Sequence, residues 1–107
     1  GIEENQFINH QIPFLEVNPN PFTDKVTIRY HIKYSVSGEA RDVKLKIYNI
    51  AGQLIKHFSL PTDYSLTSTS LVWDGKDDNG RFLPGGVYFV QLDTSTNSII
   101  AKIVKLK

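Results

Sequence analysis

The stretch Val26-Thr27-Ile28-Arg29-Tyr30-His31-Ile32-Lys33-Tyr34 decides the fold class. Val26, Ile28, Tyr30, Ile32 and Tyr34 alternate with Thr27, Arg29, His31 and Lys33, so one face is apolar and the other wet. Successive side chains of an extended chain point to opposite sides, and this period of two marks a half-buried antiparallel strand. No window of the chain shows a convincing helical period of 3.6, while the period of two recurs.

Working outward, Val43, Leu45 and Ile47 alternate with Lys44, Lys46 and Tyr48 in the same way. Gln53 to Leu60 is a weaker strand, because Lys56 interrupts its alternation. Leu71-Val72-Trp73 is short and apolar on both sides; Val87 to Asp93 sets Tyr88, Val90 and Leu92 against Val87 and Phe89. Ile99 to Leu106 forms the last strand, and Pro13 to Val17 a first, edge strand. Turn chemistry separates these segments. Asn49-Ile50-Ala51-Gly52 predicts a type I hairpin turn with a bulge, and Asn79-Gly80 is the strongest short hairpin signal. Ser35 to Asp42 and Pro61 to Ser70 are polar and long enough to cross between sheets. About seven short strands so connected predict an all-β, immunoglobulin-like antiparallel sandwich. Tyr30, Ile47, Trp73, Tyr88 and Val104 are expected in or beside its one core.

The chain has 107 residues, which fits one domain. Residues 1–12 lack periodicity and read as a linker or fragment start, with the domain over 13–107. Asn18-Pro19-Asn20-Pro21 is a stiff turn whose prolines cannot sit in a central strand. The first residues, Gly1-Ile2-Glu3-Glu4, read as the start of an excised fragment, with any targeting segment upstream. The net charge of +1 supplies no general field for nucleic acid or anionic lipid. With no cysteine, there is neither a disulfide nor a thiolate site. No apolar run approaches the ~20 residues of a membrane helix. The expectation is a monomer that neither binds nucleic acid nor inserts in a membrane.

Catalytic signals are missing at each step. His10, His31 and His57 have no metal-ligand spacing and read as solvated. No Gly-x-Ser-x-Gly elbow accompanies the loop serines. The chain is therefore expected to be no enzyme and to need no cofactor. In Trp73-Asp74-Gly75-Lys76-Asp77-Asp78-Asn79-Gly80, the oxygens of Asp74, Asp77 and Asp78 are weak candidates for calcium. The EF-hand register fails: with Gly80 as the loop glycine, Gly75 falls at the first ligand position and Gly86 where a bidentate Glu belongs. Turn formation by Asp, Asn and Gly accounts for the same residues. Trp73 reads as a core or core-rim residue rather than a sugar platform. Lys102, Lys105 and Lys107 are open to two readings, a recognition face or the lysine protection of a strand edge.

Four segments in order carry a family likeness: Asn18-Pro19-Asn20-Pro21-Phe22, Leu45 to Ile55, Trp73 to Gly80, and Leu83-Pro84-Gly85-Gly86-Val87-Tyr88-Phe89, followed by a Lys-rich apolar strand. Together they resemble the C-terminal sorting domains of type IX secretion cargo and the similar Ig-like domain of the flagellar hook-cap (FlgD-like) protein. The Trp73-Asp74-Gly75 segment leans toward the hook-cap branch. The resemblance implies a seven-stranded domain at the C-terminus of a large exported protein, often a peptidase or glycoside hydrolase. It implies recognition by outer-membrane secretion machinery and a secreted or cell-surface location. It also implies that Pro19, Pro21, Asn49, Gly52, Trp73, Asp74, Gly75, Gly80, Gly86 and Tyr88 are structural. The alternative is a carbohydrate-binding or spacer module of a secreted hydrolase, for which Phe82, Tyr48 and Tyr64 are the candidate aromatics.

Overall fold

The computed structural model describes residues 14–31, 43–60, 68–94 and 98–107. Those residues form seven strands: β1 (Phe14–Asn18), β2 (Val26–His31), β3 (Lys44–Asn49), β4 (Leu54–Phe58), β5 (Ser68–Trp73), β6 (Gly86–Asp93) and β7 (Ser98–Lys105). They make two antiparallel sheets, one ordered β1-β2-β5 and the other β4-β3-β6-β7. The all-β sandwich read from the alternation is the fold observed.

The alternating faces meet in one core. Val26, Ile28 and Tyr30 of β2 and Trp73 of β5 face Leu45, Ile47, Tyr88, Val90, Leu92 and Ile103 of the other sheet, with Phe22 between them. All of these are at most 4% exposed. Desolvation in this core raises the phenol pKa values of Tyr30 and Tyr88. Val104 is a correction: β7 turns Ile103 inward, and Val104 lies half-buried on the outer face.

Other boundaries also shift. β5 begins at Ser68, three residues earlier than its apolar run, because Tyr30 and His31 pair with Thr69 and Ser68. β4 stops at Phe58, and a register irregularity opposite Ile47/Tyr48 absorbs the broken alternation at Lys56. The chain passes from the first sheet to the second between β2 and β3, back between β4 and β5, and to the second again between β5 and β6. Residues 32–42 (with the expected strand residues Ile32, Lys33 and Tyr34) and residues 61–67, like residues 1–13, His10 and Tyr64, lie outside the described residues. No helix among the described residues is long and apolar enough to cross a membrane.

Candidate functional site

Because β1, β3, β5 and β7 end where β2, β4 and β6 begin, the four motif segments gather at one end of the sandwich. Three of them each contribute one aromatic ring to the core there. The centroids of Phe22 and Trp73 lie 5.6 Å apart, and Trp73 meets Tyr88 edge-on at 5.5 Å. Such pairs add about 0.5–1.5 kcal/mol each beyond area burial. Both polar tips are satisfied within the motifs. The Trp73 indole N–H donates to the Lys76 carbonyl at 2.9 Å, and the Tyr88 hydroxyl donates to the Pro84 carbonyl at 2.5 Å. Next to Pro84, Gly85 packs so tightly on Lys107 that a Cβ would lie 2.5 Å from its backbone nitrogen.

The acidic loop is built by its own hydrogen bonds. Asp77 Oδ1 accepts from the amides of Asn79 and Arg81, each at 2.9 Å, and Asp77 Oδ2 accepts from Arg81 Nε at 3.2 Å. The Arg81 amide, before its guanidinium charge, holds the Asp77 carboxyl below its ordinary value. Asp74 accepts from the Lys76 amide at 3.1 Å. Asn79-Gly80 is not the two-residue centre of a primed turn, which needs positive φ at both central residues. Gly80 has φ +80 and Asn79 does not share that region, so Asp77 to Gly80 is a type I turn closed by a glycine bulge. It lies within the crossing from β5 to β6, where it closes a short antiparallel hairpin with Lys76 bridged to Phe82.

Two motif side chains act as surrogate strands on the borders of the four-stranded sheet. On β7, Asn20 Nδ2 donates to the Lys102 carbonyl at 2.8 Å, and Asn20 Oδ1 accepts from the Val104 amide at 2.9 Å. Phe22 continues the row, donating to Val104 O at 2.9 Å and accepting from the Leu106 amide at 2.8 Å. On β4, the Asp78 amide donates to Ile55 O at 3.0 Å, and its Oδ1 accepts from the His57 amide at 3.2 Å. Oδ2 lies 2.6 Å from His57 Nδ1, and Lys56 Nζ is 3.9 Å from Oδ1. Desolvation pushes the Asp78 carboxyl up, but the hydrogen bonds from His57 and the charges of His57 and Lys56 outweigh it, and its pKa is lowered. His57 is exposed, as its sequence position predicts, and is held by a carboxylate; His31 stacks on Phe14 at 5.7 Å. The cap was invisible in the sequence at Asn20, whose partners are more than 80 residues away.

The three lysines do not share a face. Lys102 is exposed on the outer side of β7. Lys105, an odd number of residues along the strand from it, turns inward beside Phe22 and is 6% exposed. Its stem runs beneath Gly75, where a Cβ would lie 2.7 Å from Lys105 Cε, and its Nζ donates to Lys107 O at 2.6 Å. Burial therefore removes Lys105 from any recognition face. Lys107 is exposed at the motif end, where a shallow hollow of about 450 Å³ is lined by Asp24, Asp74, Lys76, Phe82 and Lys107 among others. Phe82 is capped by Lys76 Nζ at 4.6 Å from the ring centre. Of the charges around this hollow, Lys76 Nζ lies 4.0 Å from Asp74 Oδ2, and Thr23 brings a hydroxyl to the lining. Among the described residues no three His, Asp or Glu side chains cluster as metal ligands.

Compared with known proteins, the family model of the FlgD Ig-like domain matches residues 20–98. A search of curated protein sequences finds no match. Among solved structures, PorZ, an essential bacterial surface component of the type-IX secretion system of Porphyromonas gingivalis, superposes with TM-score 0.60 and 20% identity, over 87% of this chain and 11% of that one. Dimeric latent PorU from the same organism gives 0.66 and 18%, over 89% of this chain and 9% of that one. Truncated FlgD from Helicobacter pylori gives 0.56 and 17%, over 90% and 72%. The chain thus spans about a tenth of the two P. gingivalis proteins, and at these identities the likeness is one of fold.

Proposed function

Because this chain belongs to the FlgD Ig-like domain family, we propose that it is a non-catalytic recognition module of a larger secreted protein, bound by export or cell-surface machinery that acts on the domain fused to it. The observation that carries this reading is where the motif residues go. Phe22, Trp73 and Tyr88 make core, Asn20 and Asp78 close sheet borders, and Gly80 makes a turn. These residues serve the frame of the sandwich rather than a reactive site. The occurrence of the same fold as about a tenth of a type IX secretion surface component supports the same reading. In this proposal residues 13–107 are the working unit, the location is the cell surface or beyond it, and Lys102 and Lys107 are the lysines a partner reads.

Fusion of the full chain to a passenger that is not otherwise exported, in a type IX-competent host, tests this. The expected result is passenger at the surface or in the medium, reduced by Lys102→Gln with Lys107→Gln at unchanged melting temperature. A passenger that remains in the periplasm, while an authentic sorting domain exports it, would defeat the reading.

A further inference from the structure

The two outward faces of the sandwich differ in kind. On the three-stranded sheet, cross-strand neighbours satisfy one another: Glu16 pairs with Arg29 and Phe14 stacks on His31. On the four-stranded sheet, alternation and register place Leu54, Tyr48, Phe89 and Lys102 in one row across β4, β3, β6 and β7. The adjoining row carries Lys46, Gln91 and Ile100. Ile100 is 61% exposed, Leu54 50%, and Ile50 at the turn beside them 76%. Tyr48, Ile50, Phe89, Gln91 and Ile100 line most of a shallow hollow of about 470 Å³. An apolar patch with aromatic rings at its centre marks a contact surface rather than an ordinary solvent face.

We propose that this outer face docks a protein partner whose contact surface is apolar with acidic residues at its border. Charge selects that occupant. Lys44, Lys46 and Lys102 rim the patch; Asp93, in the next row opposite Lys44, already accepts hydrogen bonds from Gln91 and Ser98 at 2.9 and 2.7 Å, and Asp78 at the β4 border is held by His57, the neighbour of Lys46. Lys102 has no carboxylate partner among the described residues. A second copy placed face to face would set lysines against lysines, which opposes self-association. With Asp93 engaged, a sugar would find neutral acceptors such as Gln91 and Tyr48 beside the rings but no free carboxylate, whereas the lysines call for an acidic partner. The partner cannot be read as an added strand where Asn20 and Asp78 stand on the borders, so side chains across the face must do the recognising. The proposal rests on the recognition reading only in supposing a protein partner; it does not require export.

The full chain, isotopically labelled, is titrated with a short synthetic peptide alternating Glu with Leu and Phe. A Lys-for-Glu counterpart, a Ser-for-Leu-and-Phe counterpart and a soluble glucan oligosaccharide serve as competing probes. The expected result is amide shifts confined to residues 46–54, 87–91 and 100–104 with the acidic apolar peptide alone. Lys46→Glu with Lys102→Glu should weaken it about tenfold and admit the Lys peptide. Ile100→Ser, at an exposed position that leaves the fold intact, should weaken it without admitting that peptide. Shifts on the three-stranded sheet, equal binding of both charged peptides, tighter binding of the glucan, or no shift with any probe would each overturn the proposal. Export of a passenger is scored separately, so a face that binds in a domain that does not export sinks the sorting reading and leaves this one standing.

Discussion

The turn at residues 49–53 and the turn at residues 77–81 follow one backbone path with different chemistry. In each, the first residue's Oδ1 accepts from the amides two and four positions on: Ala51 and Gln53 at 3.0 and 2.9 Å, Asn79 and Arg81 both at 2.9 Å. In each, the fourth residue is a glycine with φ near +80 whose amide donates back to the first carbonyl at 3.0 Å. In each, the side chains of the first and fifth residues bond: Asn49 with Gln53 at 2.8 Å, Asp77 with Arg81 at 3.2 Å. The oxygen and the glycine make the turn; the charge is an addition. The second positions diverge. Ile50 stands in solvent, while Asp78 reaches across to close β4, the strand that leaves the first turn.

The largest expected effect tests what the turns share. Gly52→Val and Gly80→Val should each cost about 1–2 kcal/mol, a loss of roughly 4–8 °C per kcal/mol in melting temperature. A Cβ at either site meets nothing within 4 Å, so backbone conformation alone is tested. Unequal losses would break the equivalence of the two turns. Next, Asn49→Ala removes the acceptor of two amides and should cost about 1–2 kcal/mol by denaturant melts, while Asn49→Gln, one bond too long, should not rescue it. Asp77→Ala should lower stability in the same sense, and Asp77→Asn should restore most of the loss.

A smaller effect separates the turns. A carboxyl whose folded pKa lies below its ordinary value of 3.8 lends stability that is present above that value and lost as pH falls through the folded pKa. Acidification below about pH 4 should therefore weaken the wild type through Asp77 and Asp78. Asp77→Asn should flatten the acid limb of the stability curve, and substitutions at Asn49 should leave its slope unchanged; an unchanged slope in Asp77→Asn would show that the charge is idle. The smallest effect is a null one. Calcium and chelator should leave the melting temperature unaltered, because the Asp74 and Asp77 carboxylates serve their own turns and Asp78 serves β4. A calcium-dependent rise, abolished in Asp77→Ala, would return the loop to the metal-binding reading.

Much of the fold could be read from residues whose partners are solvent on one side and core on the other. Val26 to His31 and Leu45 to Ile47 declare their faces because lysine, arginine and threonine hold the wet positions. β7 does not, because Ile99 and Ile103 lie on one side, Ile100 and Val104 on the other, and the lysines follow both phases. Its phase is decided by Phe22 and Gly75, which make room for the Lys105 stem. The Asn79-Gly80 dipeptide marked its short hairpin, but its local preference fits two turn types; the Asp two residues before Asn79 was the deciding signal, and Asn49 before Ala51 shows the same arrangement. The border caps were not readable at all. An amide that mimics a peptide group for a strand far along the chain leaves no periodic trace, and Asn20 in its proline-flanked setting looked like turn chemistry alone.

Caps on both borders of one sheet also set a valence. Ladder growth is a polymerisation with two reactive ends per sheet, and Asn20 and Asp78 act on those ends as chain terminators. What the four-stranded sheet still offers to neighbours is one facet, ringed by like charge that discourages copies from sharing it. In colloidal terms this sheet has no free ladder valence: its hydrogen-bonded rows cannot propagate from one copy to the next. Copies tethered side by side can therefore be packed densely without this sheet's ladder joining one to the next.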